Sequence, residues 1–304
     1  MDNIALLVLC FVLGIILRLS GRLPDNTPAA LNGFVIHISL PALILVYVHG
    51  LRINTSLIYS ILTPWILFGI GFLVFVAVAR FARWPAETTG GLILTGSLAN
   101  TSFLGLPMIE TFYGASFLGI GILMDQLGSY MVLSTVGIVV AATYASKEDK
   151  GVSIARVARK VICFAPFQAL LVALLLRPFD LPQDVVHLLD RLGATLAPIA
   201  LVSVGYQLRL ADLKGRIQPL AAGLLFKLLI GPALIALILV AVFGKTGEIT
   251  QVTIFEAAMA PQIGAAVVAI DHKLDPPLMS LMLGIGIPLS FLTLPLWWYV
   301  LQGL

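Results

Sequence analysis

Long apolar stretches separated by short polar connections fill almost the whole chain. Because a helix needs roughly 20 apolar residues to cross the hydrocarbon core of a bilayer, the pattern predicts ten membrane-spanning helices. They are placed near 4–20, 29–50, 56–80, 88–113, 116–145, 155–177, 185–208, 217–243, 249–270 and 277–302. Only one linker is conspicuously polar, SKEDKGVSIARVARK from Ser146 to Lys160, and it divides the chain almost in half. The expected fold is an all-α polytopic membrane protein.

Composition supports an integral membrane protein. Of the 304 residues 60% are hydrophobic and 11% are charged, with a mean hydropathy of +1.05, whereas soluble domains carry about 25% charged residues. The first span has neither a basic leader nor a small-residue cleavage site, so it is interpreted as permanent. Cys10 and Cys163 both fall in apolar spans and indicate no disulfide or metal site. No cofactor is predicted. The basic residues are spread over short loops, which argues against a nucleic-acid partner.

The distribution of Lys and Arg predicts the orientation. If the odd-numbered loops face the cytoplasm, thirteen of the 18 Lys and Arg residues lie on that side and four lie outside, while Lys227 falls within a span. Cytoplasmic loops carry the excess of positive charge. Both termini are therefore expected outside, most simply in a bacterial inner membrane.

Three pairs of segments repeat in the same order along the chain. Aligning Pro41 with Pro198 places ISLPALILVYVHGLRI over TLAPIALVSVGYQLRL and matches a Leu-Arg pair, and the offset between all three pairs stays at 157 to 159. Five spans separate equivalent positions, so the second copy must be inserted upside down, as in the inverted repeats of secondary transporters. The predicted organisation is a first five-helix repeat at 1–145, a cytoplasmic linker at 146–154 and a second, inverted repeat at 155–304.

The fourth and ninth spans contain residues that break helices. LANTSFLGLPMI begins at Leu98 and EAAMAPQIGAAV begins at Glu256. Proline removes an amide donor and glycine loosens a helix, so each span is expected to be interrupted near its centre. Freed backbone groups must face protein or a water-filled cavity, and paired breaks indicate a midplane site whose helix N-termini suit an anion. The alternative is that the two prolines only kink packed helices. The predicted substrate-binding residues are Asn100, Thr101, Ser102, Pro107, Pro261 and Gln262.

Three ionisable residues fall at membrane depth, where charge is costly and marks pathways. Asp125 in the fifth span suits a proton carrier, part of the site wall or a buried partner for Lys227. Lys227 lies too deep in the eighth span for easy snorkelling and suits an ion pair or attraction of an anion. Glu256 precedes Pro261 by five residues and suits a proton site or a position at the aqueous mouth.

Three segments carry a family resemblance: ANTSFLGLP in the fourth span, KLLIGPALI in the eighth, and the stretch from Ala257 to Leu304 that begins AAMAPQIGAAVV. They resemble the auxin efflux carrier family, which includes plant PIN-type auxin exporters and bacterial permeases assigned to malate and malonate. The resemblance implies two inverted five-helix repeats similar to bile acid sodium symporters, with crossing broken helices 4 and 9 that hold the substrate and a transport domain that slides against a scaffold. It also implies that Asn100 contacts substrate and that Pro261 and Gln262 form the second crossover.

Two features depart from the plant exporters. Their long hydrophilic central loop is absent, so regulation through that loop does not carry over. The third span contains no acidic residue, so an acidic coupling site proposed there in plant members has no counterpart.

The sequence favours a secondary transporter of a small organic anion, auxin-like or a dicarboxylate, working by elevator-type alternating access. An anion channel or a ligand-sensing membrane protein using the same cavity is the alternative. An enzyme is disfavoured, because the chain has no HExxH zinc helix and no GxSxG elbow. The sequence leaves open coupling to protons, to sodium or to the membrane potential, and it leaves open a homodimer.

Overall fold

The computed structural model describes residues 2–51, 57–145, 154–208, 213 and 215–304. Almost all of these residues are helical. The helices, numbered in chain order, are α1 (Asp2–Leu19), α2 (Thr27–Tyr47), α3 (Leu57–Ala82), α4 (Ala86–Ser97), α5 (101–112), α6 (Ala115–Tyr144), α7 (Ile154–Ile162), α8 (Ala165–Leu176), α9 (Gln183–Gly193), α10 (Leu196–Gln207), α11 (Ile217–Val242), α12 (Glu248–Ala257), α13 (Ile263–Asp271) and α14 (Pro276–Leu301). The predicted linker at 146–154, apart from its last residue, lies outside the described residues. So do Arg52 and Arg209, the arginines of the repeated Leu-Arg pair.

Six helical stretches within the described residues are long and apolar enough to cross a membrane: α2, α3, α6, α9 with α10, α11 and α14. Shorter apolar helices occupy Ala5–Leu19 and Ala165–Leu176. Large apolar side chains such as Leu73 and Phe81 are exposed on the outside of the bundle, as expected of side chains in contact with lipid. The chain is therefore a polytopic integral membrane protein.

One predicted span is divided in two. The stretch expected to cross at 155–177 forms α7 and α8, which are separated at Cys163 and Phe164. Pro166 lies in the first turn of α8, where its missing amide is tolerated but where it cannot continue a preceding helix. The sequence of α7, IARVARKVI, is strongly amphipathic and basic, a pattern typical of helices that lie in the membrane interface.

Wide π-helical turns precede three prolines. They cover Val35–Ser39, Thr101–Gly105 and Phe226–Ile230, before Pro41, Pro107 and Pro232. A proline ring crowds the carbonyl four residues earlier, and a π-turn relieves that crowding by pairing amides with carbonyls five residues back. Leu106, for example, donates to the carbonyl of Thr101. Pro107 therefore lies in a helix that continues through it, and the break of this span lies before the proline, at Leu98 to Asn100.

Helix α1 packs very closely against α10. A Cβ atom added to Gly205 would lie 2.1 Å from the carbonyl oxygen of Phe11, and one added to Gly14 would lie 2.2 Å from that of Val202. Small residues at a membrane helix interface let the two backbones approach in this way. Glycine at these two positions therefore sets the separation of α1 and α10.

The most interior helices are the broken ones. Residues 88–101 and 250–263 are buried without exception. They include several polar side chains, among them Asn100, Thr101, Glu256 and Gln262. Because a buried polar group costs free energy unless it finds a partner, this concentration of polar groups in the core marks the candidate functional site.

Candidate functional site

Two unwound segments lie at the centre of the molecule. Helix α4 ends at Ser97, and Leu98 and Asn100 leave the helical conformation before the π-turn of α5 begins at Thr101. Helix α12 ends at Ala257, and Gln262 is extended immediately before α13. Both interruptions predicted from the sequence are present.

Backbone hydrogen bonds join the two unwound segments. The amide of Asn100 donates to the carbonyl of Ala260 at 2.9 Å, and the amide of Gln262 donates to the carbonyl of Leu98 at 3.1 Å. Ala99 and Pro261 form the antiparallel bridge between these bonds. The breaks therefore satisfy part of each other's freed backbone, as an apolar environment requires.

The hydrogen bonding relates the two breaks differently from the sequence alignment. One of the three repeated pairs aligns residues 99–105 with residues 258–264, an offset of 159 that places Asn100 over Met259. The paired bonds instead make Asn100 the counterpart of Gln262. The unwound stretch before α13 is longer than the one before α5, so a single offset cannot match both ends of the two segments.

The side chains of Asn100 and Gln262 face a cavity of about 310 Å³, called the crossover cavity below. Asn100 is 2% exposed and its Nδ2 has no hydrogen-bond partner among the described residues, and the same holds for Oε1 of Gln262, which is 9% exposed. Buried side-chain amides without a hydrogen-bond partner cost free energy unless a ligand or water pairs with them. They are available to bind a ligand.

The remaining walls of the crossover cavity combine helix N-termini with aromatic rings. Ser102 near the start of α5 and Gly264 near the start of α13 both line it, so amides without an intrahelical acceptor lie close by. The rings of Tyr130 and Phe164, which are stacked with centroids 4.0 Å apart, also line the cavity. No Lys or Arg of the described chain lines this cavity, whereas Asp125 and Asp271 do.

Asp125 is fixed by three donors. Its Oδ1 accepts hydrogen bonds from Thr101 at 2.5 Å and Ser102 at 2.6 Å, and its Oδ2 accepts one from Gln126 at 2.7 Å. The structure therefore pairs Asp125 with hydroxyls at the start of α5 rather than with Lys227. The predicted site residues Thr101 and Ser102 hold this carboxylate, and Ser102 also reaches the cavity wall.

Lys227 and Glu256 lie on the other side of the crossing. Lys227 Nζ donates to the carbonyl of Ala257 at 2.7 Å, at the C-terminal end of α12, and interacts electrostatically with Glu256. Neither carboxylate oxygen of Glu256 has a hydrogen-bond partner among the described residues. A cation at a helix C-terminus is favourable, so Lys227 stabilises the end of α12 beside the second break.

The carboxylate of Glu256 lies against two glycines. A Cβ atom on Gly105 would lie 2.5 Å from its Oε1, and one on Gly121 would lie 3.2 Å from the same atom. Glu256 is fully buried, so it does not occupy an open aqueous mouth.

The two prolines that were predicted to bind substrate, Pro107 and Pro261, lie in different parts of the structure. Pro261 lies within the second break, beside Gln262. Pro107 does not line the crossover cavity. It lines a separate cleft of about 200 Å³ together with Glu110 and Asp190. Pro107 thus shapes α5 one turn beyond the cavity.

Sequence reasoning missed the aromatic wall and the glycine contacts. Tyr130 and Phe164 belong to α6 and to the turn before α8, and neither residue has a local feature that distinguishes it from a lipid-facing aromatic. Gly105 was noticed only as a helix-weakening residue. Its role in accommodating Glu256 depends on a contact between helices far apart in sequence.

Known membrane transporters resemble this chain over nearly its whole length. A family model described as "Membrane transport protein" matches residues 1–298. The chain is 29% identical to an uncharacterized transporter of Methanothermobacter thermautotrophicus, across 99% of this chain and 98% of the relative. It is 23% identical to an uncharacterized transporter of Methanocaldococcus jannaschii, with the same coverage. The chain belongs to the auxin efflux carrier family of membrane transport proteins.

Proposed function

We propose that the protein carries a small organic anion, auxin-like or a dicarboxylate, across the membrane by elevator-type alternating access. The observation that carries the proposal is the crossover cavity, where the unpartnered side-chain amides of Asn100 and Gln262 lie at two helix breaks whose residues, 98–100 and 258–262, are all buried. Membership of a transporter family makes transport the expected use of such a cavity.

The proposed architecture has ten spans arranged as two inverted repeats, 1–145 and 155–304, joined by the segment 146–154. The reciprocal hydrogen bonds between Asn100 and Ala260 and between Gln262 and Leu98 support it, since they relate the two breaks by an approximate local two-fold axis. With both termini outside, the crossover cavity, which reaches Asp271 and Phe164, opens toward the cytoplasm.

The recognition chemistry follows from the cavity walls. A carboxylate group of the substrate accepts hydrogen bonds from the side-chain Nδ2 of Asn100 and from backbone amides in the first turns of α5 and α13, where the helix dipoles add partial positive charge. The amide of Gln262 can turn to present its nitrogen, because the two ends of that group have the same shape. The organic body of the anion packs against Tyr130 and Phe164.

Asp125 supplies a basis for coupling to protons. It lines the crossover cavity, so a charged Asp125 repels an entering anion while a protonated one does not. Its three donors hold it in place in either state. Anion and proton are therefore expected to occupy the cavity together, with Glu256 and Lys227 setting the charge behind the crossing.

The test uses purified protein and proteoliposomes. Labelled malonate, malate and indole-3-acetate are tried as substrates, and binding is followed as a shift of the thermal midpoint. We expect at least one acid to bind and to be transported, and we expect Asn100→Ala and Gln262→Ala to reduce its flux at least fivefold. Gln168→Ala removes an exposed amide on α8 and is the matched control.

Other outcomes decide between alternatives. Flux that survives both cavity substitutions contradicts the site assignment. Binding without flux would identify a ligand-sensing protein, and single-channel currents would identify an anion channel.

A further inference from the structure

A second cavity approaches the crossing from the opposite end of the bundle. It has a volume of about 440 Å³ and lies at the start of α12. Its lining includes Tyr59, Ser116, Lys245, Thr250 and Thr253. The ammonium of Lys245 lies 4.6 Å from the centre of the Tyr59 ring. This space is called the α12 cavity below.

The two cavities lie at opposite ends of the same helices. On α6, Ser116 and Ile120 line the α12 cavity, whereas Tyr130 and Ser134 line the crossover cavity, with Asp125 at the near end of the latter. Because α6 is long and apolar enough to span a membrane, the cavities are directed toward opposite membrane faces.

The floor of the α12 cavity lies beside Glu256. Thr253 lines the cavity and precedes Glu256 by three residues on α12, which places both on one face about one turn apart. Across from them on α6, Ile120 lines the cavity while its neighbour Gly121 contacts the Glu256 carboxylate. One helical turn therefore separates the cavity from an unpartnered buried acid.

Hydroxyl groups occupy that turn. Thr253 Oγ1 donates to the carbonyl of Ile249 at 2.7 Å and lies 2.6 Å from Ser60 Oγ. Since a threonine hydroxyl has one hydrogen, the Ser60 hydroxyl donates to Thr253. Among the described residues, the charged groups that interact electrostatically with Glu256 are Lys227 and Asp125.

We propose that the α12 cavity is a proton-access path to Glu256, separate from the crossover cavity that serves Asp125. A hydronium ion that passes from the cavity to Glu256 gives one proton to a carboxylate oxygen, which leaves a water molecule and a neutral carboxylic acid, and the reverse step returns the proton. Glu256 thereby exchanges protons with one membrane face, and Asp125 exchanges protons with the other. The inference rests on the proposed function for its role in coupling, whereas the access path stands on its own geometry.

The experiment uses the full chain in sealed proteoliposomes after Cys10→Ser and Cys163→Ser, which remove both native thiols. Thr253→Cys is then treated with a membrane-impermeant methanethiosulfonate, and Ser134→Cys in the crossover cavity is the matched control. We expect Thr253→Cys to react at least tenfold faster when the reagent is added on the membrane side where Lys245 lies. Ser134→Cys should react at least tenfold faster when the reagent is added on the opposite side.

Proton uptake is read without any substrate. After an acid jump, infrared difference spectra should show the carbonyl band of a protonated carboxyl that is missing after Glu256→Gln. Its appearance should slow at least tenfold once Thr253→Cys is modified, whereas Thr253→Ser should behave as the parent. Labelling of Thr253→Cys from the wrong face, no labelling, or an unslowed or absent band overturns the inference. A lack of anion flux with these results intact overturns the proposed function instead.

Discussion

The backbone of Gly105 lies directly against the carboxylate of Glu256, with room for a hydrogen but not for a methyl group. Gly105 belongs to the π-turn that follows the first break, and Glu256 belongs to α12 just before the second. The contact therefore joins the two broken spans a second time, beside their backbone hydrogen bonds.

Replacing this glycine should strain the crossing. In Gly105→Ala the new Cβ would lie 2.5 Å from Glu256 Oε1, and overpacking of this kind costs about 1–3 kcal/mol. We expect a lower thermal midpoint in detergent, and much less further loss when Gly105→Ala is added to Glu256→Ala, since that variant has already lost the carboxylate. Gly69→Ala, on the exposed side of α3 with no neighbouring atom within 4 Å, is the control and should be neutral. Additive losses in the double variant would contradict the contact.

Substitution of Asn100 should weaken ligand binding without lowering the stability of the protein. Its backbone makes the hydrogen bond to Ala260, while its side-chain Nδ2 has no partner among the described residues. Removing an unsatisfied buried donor relieves a desolvation cost of about 1–3 kcal/mol. Asn100→Ala should therefore melt at or above the parent temperature yet lose the thermal shift produced by the anion that stabilises the parent. A clear drop in the melting temperature without ligand would refute this separation.

Two substitutions of Asp125 should differ. Asp125→Asn keeps an oxygen that accepts from Thr101 or Ser102, so folding should be retained while anion flux should depend much less on pH. Asp125→Leu leaves both hydroxyls without this acceptor and should lower stability by about 1–3 kcal/mol for each group left unpaired. Flux assays across a pH series and thermal melts read the two effects. Parent-like pH dependence in Asp125→Asn would exclude this residue as the coupling group.

Lys227 and Glu256 should be energetically coupled. Lys227→Met leaves the Ala257 carbonyl without its donor and Glu256 without its neighbouring cation. Leaving a buried charge uncompensated costs about 3 kcal/mol or more. Adding Glu256→Gln should return much of that loss, which a double-mutant cycle measured by thermal melting reports as a coupling of at least about 1 kcal/mol. Independent effects would mean that the two groups do not share a charge environment.

The contact between α1 and α10 should tolerate no side chain at its centre. A Cβ on Gly205 meets the Phe11 carbonyl at 2.1 Å, and backbone cannot move aside as a flexible side chain can. Gly205→Ala should lower stability by about 1–3 kcal/mol. Gly33→Ala in α2, with no atom within 4 Å of its Cβ, provides the comparison. Equal melting temperatures for the two variants would show that the helices can separate without loss.

The positions of the long helices could be predicted from the sequence, because an apolar run of this length has few stable conformations other than a membrane-spanning helix. The predicted spans 217–243 and 277–302 agree with α11 (Ile217–Val242) and α14 (Pro276–Leu301) within one or two residues. The division of 155–177 into α7 and α8 was not predicted, although Pro166 and the basic amphipathic α7 were visible signals. Hydropathy averaged over a window as long as a membrane span does not register such local features.

The arrangement of the site was less readable. Helix-breaking residues located both breaks, but Pro107 lies in a continuing helix because a π-turn accommodates it. The partners of Asp125 and the neighbours of Glu256 come from other helices. Periodicity along one helix fixes a face and a depth, and it cannot choose which polar group on another helix will meet that face.

The two hydrogen bonds that fasten the crossing use only main-chain atoms. Substitutions of the side chains at positions 100 and 262 should therefore leave these two main-chain hydrogen bonds in place. The geometry of the crossing and the chemistry presented at positions 100 and 262 are set by different atoms, so each can change without the other.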